Sequence, residues 1–264
     1  SLVGSEMCIR DSSDNWTVWS APYDTTLPAG NGDHALYVNA TDEAGNSALH
    51  TYWFTTDDST PLILLHTPAN GTLCKSGVLV DLSVEDDDLA DVVYRWDGGM
   101  WQAFPQPYDT STPSGDGVHT LEVNASDTAG NVELMRYVFE VDDTPPAVAL
   151  LTPANGSVVA GGTTVSLNIS DAHQLTVQYR WDAGDMAGMA TPYQTAVPAG
   201  DGQHTLVVNA TDEIGNYVLR TYVFTTDDTA PVVTLVQPGN NTVVKSGTTV
   251  ELSVTDAHLM AVEY

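Results

Sequence analysis

"DGVHTLEVNASDTAGN", residues 116–131, is written again as "DGQHTLVVNATDEIGN" at 201–216 and as "NGDHALYVNATDEAGN" at 31–46, a step of 85 residues each time. Other phrases keep the step: "YRWD" at 94 and 179, "DDST", "DDTP" and "DDTA" at 57, 142 and 227, and "PANG", "PANG" and "PGNN" at 68, 153 and 238. Self-similarity at one fixed period marks tandem copies of a single module. Residues 59–143 and 144–228 are two complete copies, 13–58 the C-terminal part of a first, and 229–264 the N-terminal part of a fourth. The sequence is therefore expected to be a piece of a longer chain.

Within a copy the hydrophobic period is two, not 3.6. Leu206, Val208 and Ala210 share one face of "HTLVVNATD" while Val207, Asn209 and Thr211 share the other. Val165, Leu167 and Ile169 alternate with Ser166, Asn168 and Ser170, and Val177, Tyr179 and Trp181 alternate with Gln178 and Arg180. Such runs, separated by Asn-Gly, Asp-Gly, Gly-Gly and Pro, predict the strands of an antiparallel sandwich. The fold class is all-β, with immunoglobulin-like antiparallel β-sandwiches of about 85 residues each in tandem. "VALLTP" reads as strand A, "TVSLNIS" as B, "TVQYRW" as C with an inward Trp181, "HTLVVNA" as F and "VLRTYVFTT" as G. The Gly- and Pro-rich stretch from 182 to 200 does not resolve into strands by pattern.

Residues 1–12, "SLVGSEMCIRDS", match nothing in the other copies and resemble a translated sequencing adapter, so they are set aside from fold reasoning. That leaves Cys74 as the sole cysteine, with Val159 and Val244 as its register mates. A small buried apolar residue is expected there, and no disulfide framework exists within a copy.

Seven Lys plus Arg stand against 35 Asp plus Glu, a formal charge of −28. A surface this acidic repels nucleic acid and anionic lipid, and it suits extracellular conditions, divalent cations or high salt. Disorder is excluded by 42% hydrophobic residues in regular alternation. No apolar run reaches the roughly 18 residues of a membrane-spanning helix. Sequons occur at Asn15, Asn39, Asn70, Asn124, Asn155, Asn168, Asn209 and Asn240, and those from Asn39 onward are candidate glycosylation sites, although Asn-Gly at 70 and 155 has a competing use in turns.

The phrase "DGxHTLxVxAxDxAGN" followed by "YxFTxDDTxP" resembles the bacterial and archaeal Ig-like repeats of large secreted surface proteins and adhesins, over everything after residue 12. The resemblance implies export to the cell surface, tandem stalks and, in some members, linkers stiffened by calcium.

No GxSxG, HExxH, GxGxxG or P-loop signature is present, and adjacent aspartates such as Asp142 and Asp143 point to opposite faces of an extended chain. The expectation is no enzyme activity. His34, His119 and His204 open strand F, where sandwiches often place a corner tyrosine that bonds back to the backbone, and a structural role is expected. His173 and His258 sit in the B–C loop opposite Asp88 in register, a swap that permits metal ligation. Two functions remain open. One is a structural spacer. The other is a carbohydrate- or protein-binding module, accessory to an enzyme elsewhere, that would use Trp16, Trp19, Trp101 and Phe104. Met186 and Met189 in the matching registers favour core positions for these aromatics.

Sandwich geometry also predicts where cations would bind. Strand G delivers each linker to the pole carrying the next copy's B–C and F–G loops. Asp57 and Asp58 are then expected beside Asp86, Asp87, Asp88, Asp127 and Asn131. Asp142 and Asp143 are expected beside Asp171, Asp212, Glu213 and Asn216, and Asp227 and Asp228 beside Asp256. Ca2+, which takes about six to eight oxygens, suits such a set better than Mg2+. The alternative is that the aspartates only solvate turns.

Only "DDTPP" or "DDTAP" separates one copy's strand G from the next copy's strand A, and proline fixes φ in such a joint. An elongated rod is expected. Small-angle scattering of two consecutive copies checks this, and a radius of gyration equal to that of one compact domain of the same length would refute it.

Overall fold

The repeated phrase forms the central strand of a sheet, hydrogen-bonded along both edges. The structure is a computed structural model that describes residues 6–10, 16–19 and 21–264. The chain divides into two units, residues 1–142 and 143–264. In the first unit the opening copy supplies β1 (Glu6–Arg10), β2 (Trp16–Trp19), β3 (Gly32–Thr41) and β4 (Ser47–Thr56). The second copy supplies β5 (Leu62–Thr67), β6 (Leu73–Cys74), β7 (Leu79–Glu85), β8 (Leu89–Trp96), β9 (Gln102–Ala103), β10 (Asp109–Ser111), β11 (Gly117–Asp127) and β12 (Val132–Val141). Its two sheets run β10-β7-β5 and β6-β12-β11-β8-β9. β5, β7, β8, β11 and β12 are the A, B, C, F and G strands.

The second unit repeats the plan. It contains β13 (Ala147–Thr152), β14 (Val158–Val159), β15 (Thr164–Ser170), β16 (Leu175–Trp181), β17 (Ala187–Gly188), β18 (Gln194–Ala196), β19 (Gly202–Asp212) and β20 (Tyr217–Thr226). The sheets are β13-β15-β18 and β14-β20-β19-β16-β17. β21 (Val232–Gln237) and β22 (Glu251–Thr255) pair antiparallel as the A and B strands of the last copy. The stretch from 182 to 200 contains β17, which pairs with β16, and β18, which pairs with β15. Both are two or three residues long, too short for alternation to mark them. Among the described residues no helix is long and apolar enough to cross a membrane.

Period-two alternation sets the core. Leu121, Val123 and Ala125 of β11 and Leu206, Val208 and Ala210 of β19 have no exposure, while the residues between them face outward. Val80, Leu82 and Val84 of β7 and Val165, Leu167 and Ile169 of β15 face them from the second sheet, with Phe139 and Phe224 closing the layer. Cys74 is buried with them, as its valine mates predict. Trp96 and Trp181 pack against this core but remain half-buried. Each lies about one ring away from a buried phenylalanine, with centroids 5.8 Å from Phe139 and 6.0 Å from Phe224. Their indole N–H groups donate to Thr110 Oγ1 at 3.3 Å and Thr195 Oγ1 at 3.1 Å, so the polar end of each ring finds a partner at the rim.

The opening copy differs in one respect from its sequence reading. Glu6–Arg10, inside the segment that resembles an adapter, forms β1 and pairs with β2 and β3. Met7 lies opposite Ala40 as Val92 lies opposite Ala125, so β1 takes the place of β8. Without it, β3 would present a row of unpaired N–H and C=O groups. Phe54 in this copy is 39% exposed, against 0% for its mates Phe139 and Phe224. Among the described residues, the opening copy has one sheet where the complete copies have two.

Phe224→Ala should destabilise the third copy by about 3–5 kcal/mol, and Trp181→Ala by less because its ring is only half-buried. Denaturant midpoints of the two variants check the order. An unchanged midpoint for Phe224→Ala would overturn the core assignment.

Candidate metal centre at the joint between copies

Asp57 and Asp58 follow β4 on extended chain, so their side chains leave in opposite directions. Asp58 turns back into its own copy. Its Oδ2 accepts the Gly30 N–H at 2.6 Å, and its own N–H donates to Asn31 Oδ1 at 2.7 Å. Asp57 turns toward the second copy, where a carboxylate oxygen of each of Asp57, Asp86 and Asp127 lies within 4.8 Å of the others. Asp86 follows β7, and Asp127 ends β11. Two loops of one copy and the linker from the preceding copy therefore meet at one pole.

Asn131 positions this group. Its Nδ2–H donates to the Asp57 carbonyl at 2.8 Å and to Asp127 Oδ2 at 2.7 Å. Asp127 Oδ1 also accepts the N–H groups of Gly130 and Asn131 at 2.7 and 2.9 Å. Burial works against the charge on Asp127, but these hydrogen bonds outweigh it and hold its pKa below the ordinary carboxylate value. Asp42 with Asn46 and Asp212 with Asn216 close the F–G turn in the same way, which gives "DxxGN" its physical meaning. Glycine is required inside this turn because the chain takes φ of +97° at Gly130. Asp87 and Asp88 are exposed and stand outside the group. Asp88 serves through its backbone, with its N–H on Asp86 Oδ1 at 2.9 Å and its carbonyl accepting from Thr128 at 2.9 Å.

The linker at Asp227 and Asp228 shows the same division of labour. Asp228 accepts the N–H groups of Gly161 and Gly200 at 2.7 and 2.8 Å. A Cβ on Gly161 would lie 2.6 Å from its Oδ2, so the contact needs glycine. Asp227 instead faces the last copy, with its Oδ2 2.8 Å from His258 Nδ1, and Asp256 Oδ1 accepts the His258 N–H at 2.7 Å. In the first unit Asp142 is buried and donates its N–H to the Cys74 carbonyl at 3.0 Å. In the second unit Asp143 and Glu213 are exposed, and Asp171 Oδ1 accepts the His173 N–H at 2.9 Å.

Three carboxylates gathered this closely repel one another and attract a cation. Oxygens bound to one Ca2+ at about 2.4 Å lie up to about 4.8 Å apart, so Asp57, Asp86 and Asp127 fit a single hard ion. The linker residues Asp58 and Asp228 are spent on holding their own copy's loops.

The histidines that open strand F are structural clasps. His119 Nδ1 lies 2.8 Å from Asp97 Oδ2, and its Nε2 lies 2.9 Å from the Gly115 carbonyl. His204 repeats this with Asp182 at 2.9 Å and Gly200 at 3.4 Å. Both ring nitrogens face acceptors, an arrangement that favours the protonated ring, which donates from both. The bond to the upstream carbonyl is the corner role expected from sequence. His34 differs, with its Nε2 2.8 Å from Thr56 Oγ1; Ser12, the mate of Asp97, lies outside the described residues.

The aromatic registers separate. Phe104 and Met189 are core residues, but Trp16, Trp101 and Met186 are 43, 39 and 38% exposed. A core place for Trp101 is therefore wrong. Residues 101 and 104 are three apart on extended chain and must point to opposite faces, a signal present in the sequence. The side chain of Trp19, the fourth aromatic of the set, lies outside the described residues, as does Asn15 among the sequons.

Asn39, Asn124 and Asn209 lie within the F strands β3, β11 and β19, and Asn168 is exposed on β15. Asn70 and Asn155 serve as turn residues whose Oδ1 accepts the N–H of Val138 or Val223 at 2.7 Å. Asn240 is exposed.

Fold and joint together define a tandem β-sandwich protein whose modules follow one another through short acidic linkers. Residues 193–261 match the bacterial Ig-like domain (group 3) family, and residues 97–143 match the bacterial Ig-like domain family. Over those residues the chain is of the bacterial Ig-like type. Among solved structures, the chain is similar to the fibronectin(III)-like modules of Clostridium thermocellum CbhA, with 18% identity and a TM-score of 0.36 over 62% of this chain and 94% of that one. It is also similar to Sidekick-1 immunoglobulin domains 1-5, with 13% identity and a TM-score of 0.40 over 89% and 56%. A tetra-tandem repeat in the extending region of a large adhesion protein gives 19% identity and a TM-score of 0.30 over 95% and 73%. No curated protein matches the chain in sequence.

The clasps predict a pH dependence. The bond to Asp97, and then that to Gly115, raises the His119 pKa above its usual 6.5, and Asp182 does the same for His204. A raised folded-state value means stabilisation that is complete below about pH 6.5 and lost as pH rises through the folded value. Melting temperature should therefore fall from pH 6 toward 8, with a flatter profile in the His119→Gln, His204→Gln double variant. Identical profiles would rule out the charged clasp.

Proposed function

We propose that these copies are non-catalytic spacer modules of an extracellular or cell-surface protein, of the adhesin-stalk or surface-layer type, with joints rigidified by calcium. The observation that carries this reading is the meeting of Asp57 from one copy with Asp86 and Asp127 of the next within 4.8 Å. A linker that contributes one ligand to a site completed by the following module becomes stiff when the ion binds. A formal net charge of −28 and a chain of like modules suit that role. Mg2+ is the poorer fit because it demands near-ideal octahedral geometry. A second reading, a module that binds carbohydrate or protein, is favoured by the exposed Trp101.

Calorimetry and thermal melting in calcium and in chelator test the joint. At about 100-fold excess over Kd, a ligand of the folded state stabilises by about 2.7 kcal/mol, which is several degrees in a module of this size. Asp86→Ala should abolish the calcium-dependent shift and destabilise in chelator only by the hydrogen bond lost from the Asp88 N–H, about 1 kcal/mol. Asp58→Ala should lower the melting temperature in both media, since its carboxylate holds a loop of its own copy. Absence of both binding heat and a calcium-dependent shift in the wild type would overturn the proposal.

A further inference from the structure

The outward face of the β6-β12-β11-β8-β9 sheet carries a feature that the spacer role does not use. Glu122 projects from β11 between Arg95 of β8 and Arg136 of β12, its cross-strand neighbours. Its Oε2 accepts from Arg95 Nε at 2.5 Å, and its Oε1 accepts from Arg136 Nε at 3.1 Å and from Arg136 Nη2. The Glu122 side chain is 5% exposed, that of Arg95 29% and that of Arg136 66%. The Trp101 ring lies against the Arg95 guanidinium, 4.4 Å from Cζ to the ring centroid, and is itself 39% exposed.

The fold does not require this group. The third copy, with the same sheet, places Arg180, Val207, Thr221 and Met186 at the positions of Arg95, Glu122, Arg136 and Trp101. A valine in the middle of the face is thus sufficient for the module. In the second copy, two of the seven Lys and Arg residues of a −28 chain are collected on one sheet face and fixed by a single buried carboxylate. One positive charge is left over. Arg136 keeps donors directed to solvent, because only part of its planar fork is used by Glu122.

We propose that this face of the second copy binds an acidic polysaccharide, with the Trp101 ring stacking on a pyranose and Arg136 pairing with a sugar carboxylate. An indole face suits the C–H face of a sugar ring, and a guanidinium fork matches a carboxylate in two-point geometry. The flat, open sheet face suits an extended polymer better than a small molecule, which would need a pocket. The acidity of the whole chain opposes an anionic ligand only weakly at this point. Charges are screened beyond about 8 Å at physiological ionic strength. Asp91 on the outward face of β8 and Glu140 on that of β12 are each four residues from the arginine of their strand, about 13 Å along it, and the Asp97 carboxylate is paired with His119.

The test is affinity electrophoresis of the full 264-residue chain through gels holding polygalacturonate or an uncharged polysaccharide. Chelator is present throughout, so calcium cannot bridge polymer to protein, and failure here is separate from failure of the joint proposal. Polygalacturonate should retard the wild type, the uncharged polymer should do so far less, and added salt should weaken the retardation. Trp101→Ala and Arg136→Ala should each lower affinity about tenfold or more, whereas Met186→Ala should not. Melting curves accompany each variant, and Arg136→Ala, removing an exposed side chain, keeps the test valid if Trp101→Ala unfolds. No retardation of the wild type, wild-type retardation of the Arg136→Ala chain, or equal retardation by the uncharged polymer would overturn the proposal.

Discussion

Everything in a module of this size depends on pressing two thin sheets together along a narrow apolar seam. Leu121, Val123 and Ala125 on one side and Val80, Leu82 and Val84 on the other have at most 7% exposure, and Phe139 fills the space between them. An 85-residue sandwich has little interior beyond this, because small domains bury a smaller fraction of their surface than large ones. Polar chemistry is therefore pushed to the outer sheet faces and the two poles. At the poles it has two tasks: satisfying the backbone where strands end, and joining one copy to the next.

The alternation of aspartates at the linker divides these tasks. Strand β4 continues extended through Asp57 and Asp58, so one carboxylate must face its own copy and the other must face forward. The inward one caps loop N–H groups, as Asp58 does for Gly30 and Asp228 for Gly161 and Gly200. The forward one is left for the neighbouring module, where Asp127 is already fixed by Asn131 and cannot swing away. The forward aspartates then differ in what meets them: Asp86 and Asp127 for Asp57, and His258 for Asp227. An imidazole proton at the later joint faces a carboxylate of the kind that the earlier joint gathers in threes.

Much of this is legible in the sequence, and for definite reasons. The period of two in "TLEVNAS" identifies both the strand and its buried face, because β alternation is set by backbone geometry and not by context. The recurrence of "DxxGN" marks a turn. The short strands β9, β10, β17 and β18 are not legible, since two or three residues carry no period. The division between Asp57 and Asp58 is hidden because composition gives no direction; only the partner on each side does. Trp101 misleads for a different reason. Methionine at 186 suggests a core register, yet methionine is tolerated equally on a surface, and the odd spacing to Phe104 is the better guide.

The Arg95–Glu122–Arg136 group shows what register adds to pattern. Each residue sits at an outward parity that alternation predicts, but their meeting depends on β11 lying between β8 and β12 with Glu122 opposite both arginines. A shift of one residue in either pairing would turn the glutamate against an apolar neighbour and leave a buried carboxylate without partners. The register is held from the ends of β11: His119 clasps Asp97 at one end, and Asp127 with Asn131 closes the other. The same polar closures that let a small sandwich end its strands therefore also decide which side chains share its outer face. With core and closures held in common, the two copies can carry different surfaces at residues 122 and 207.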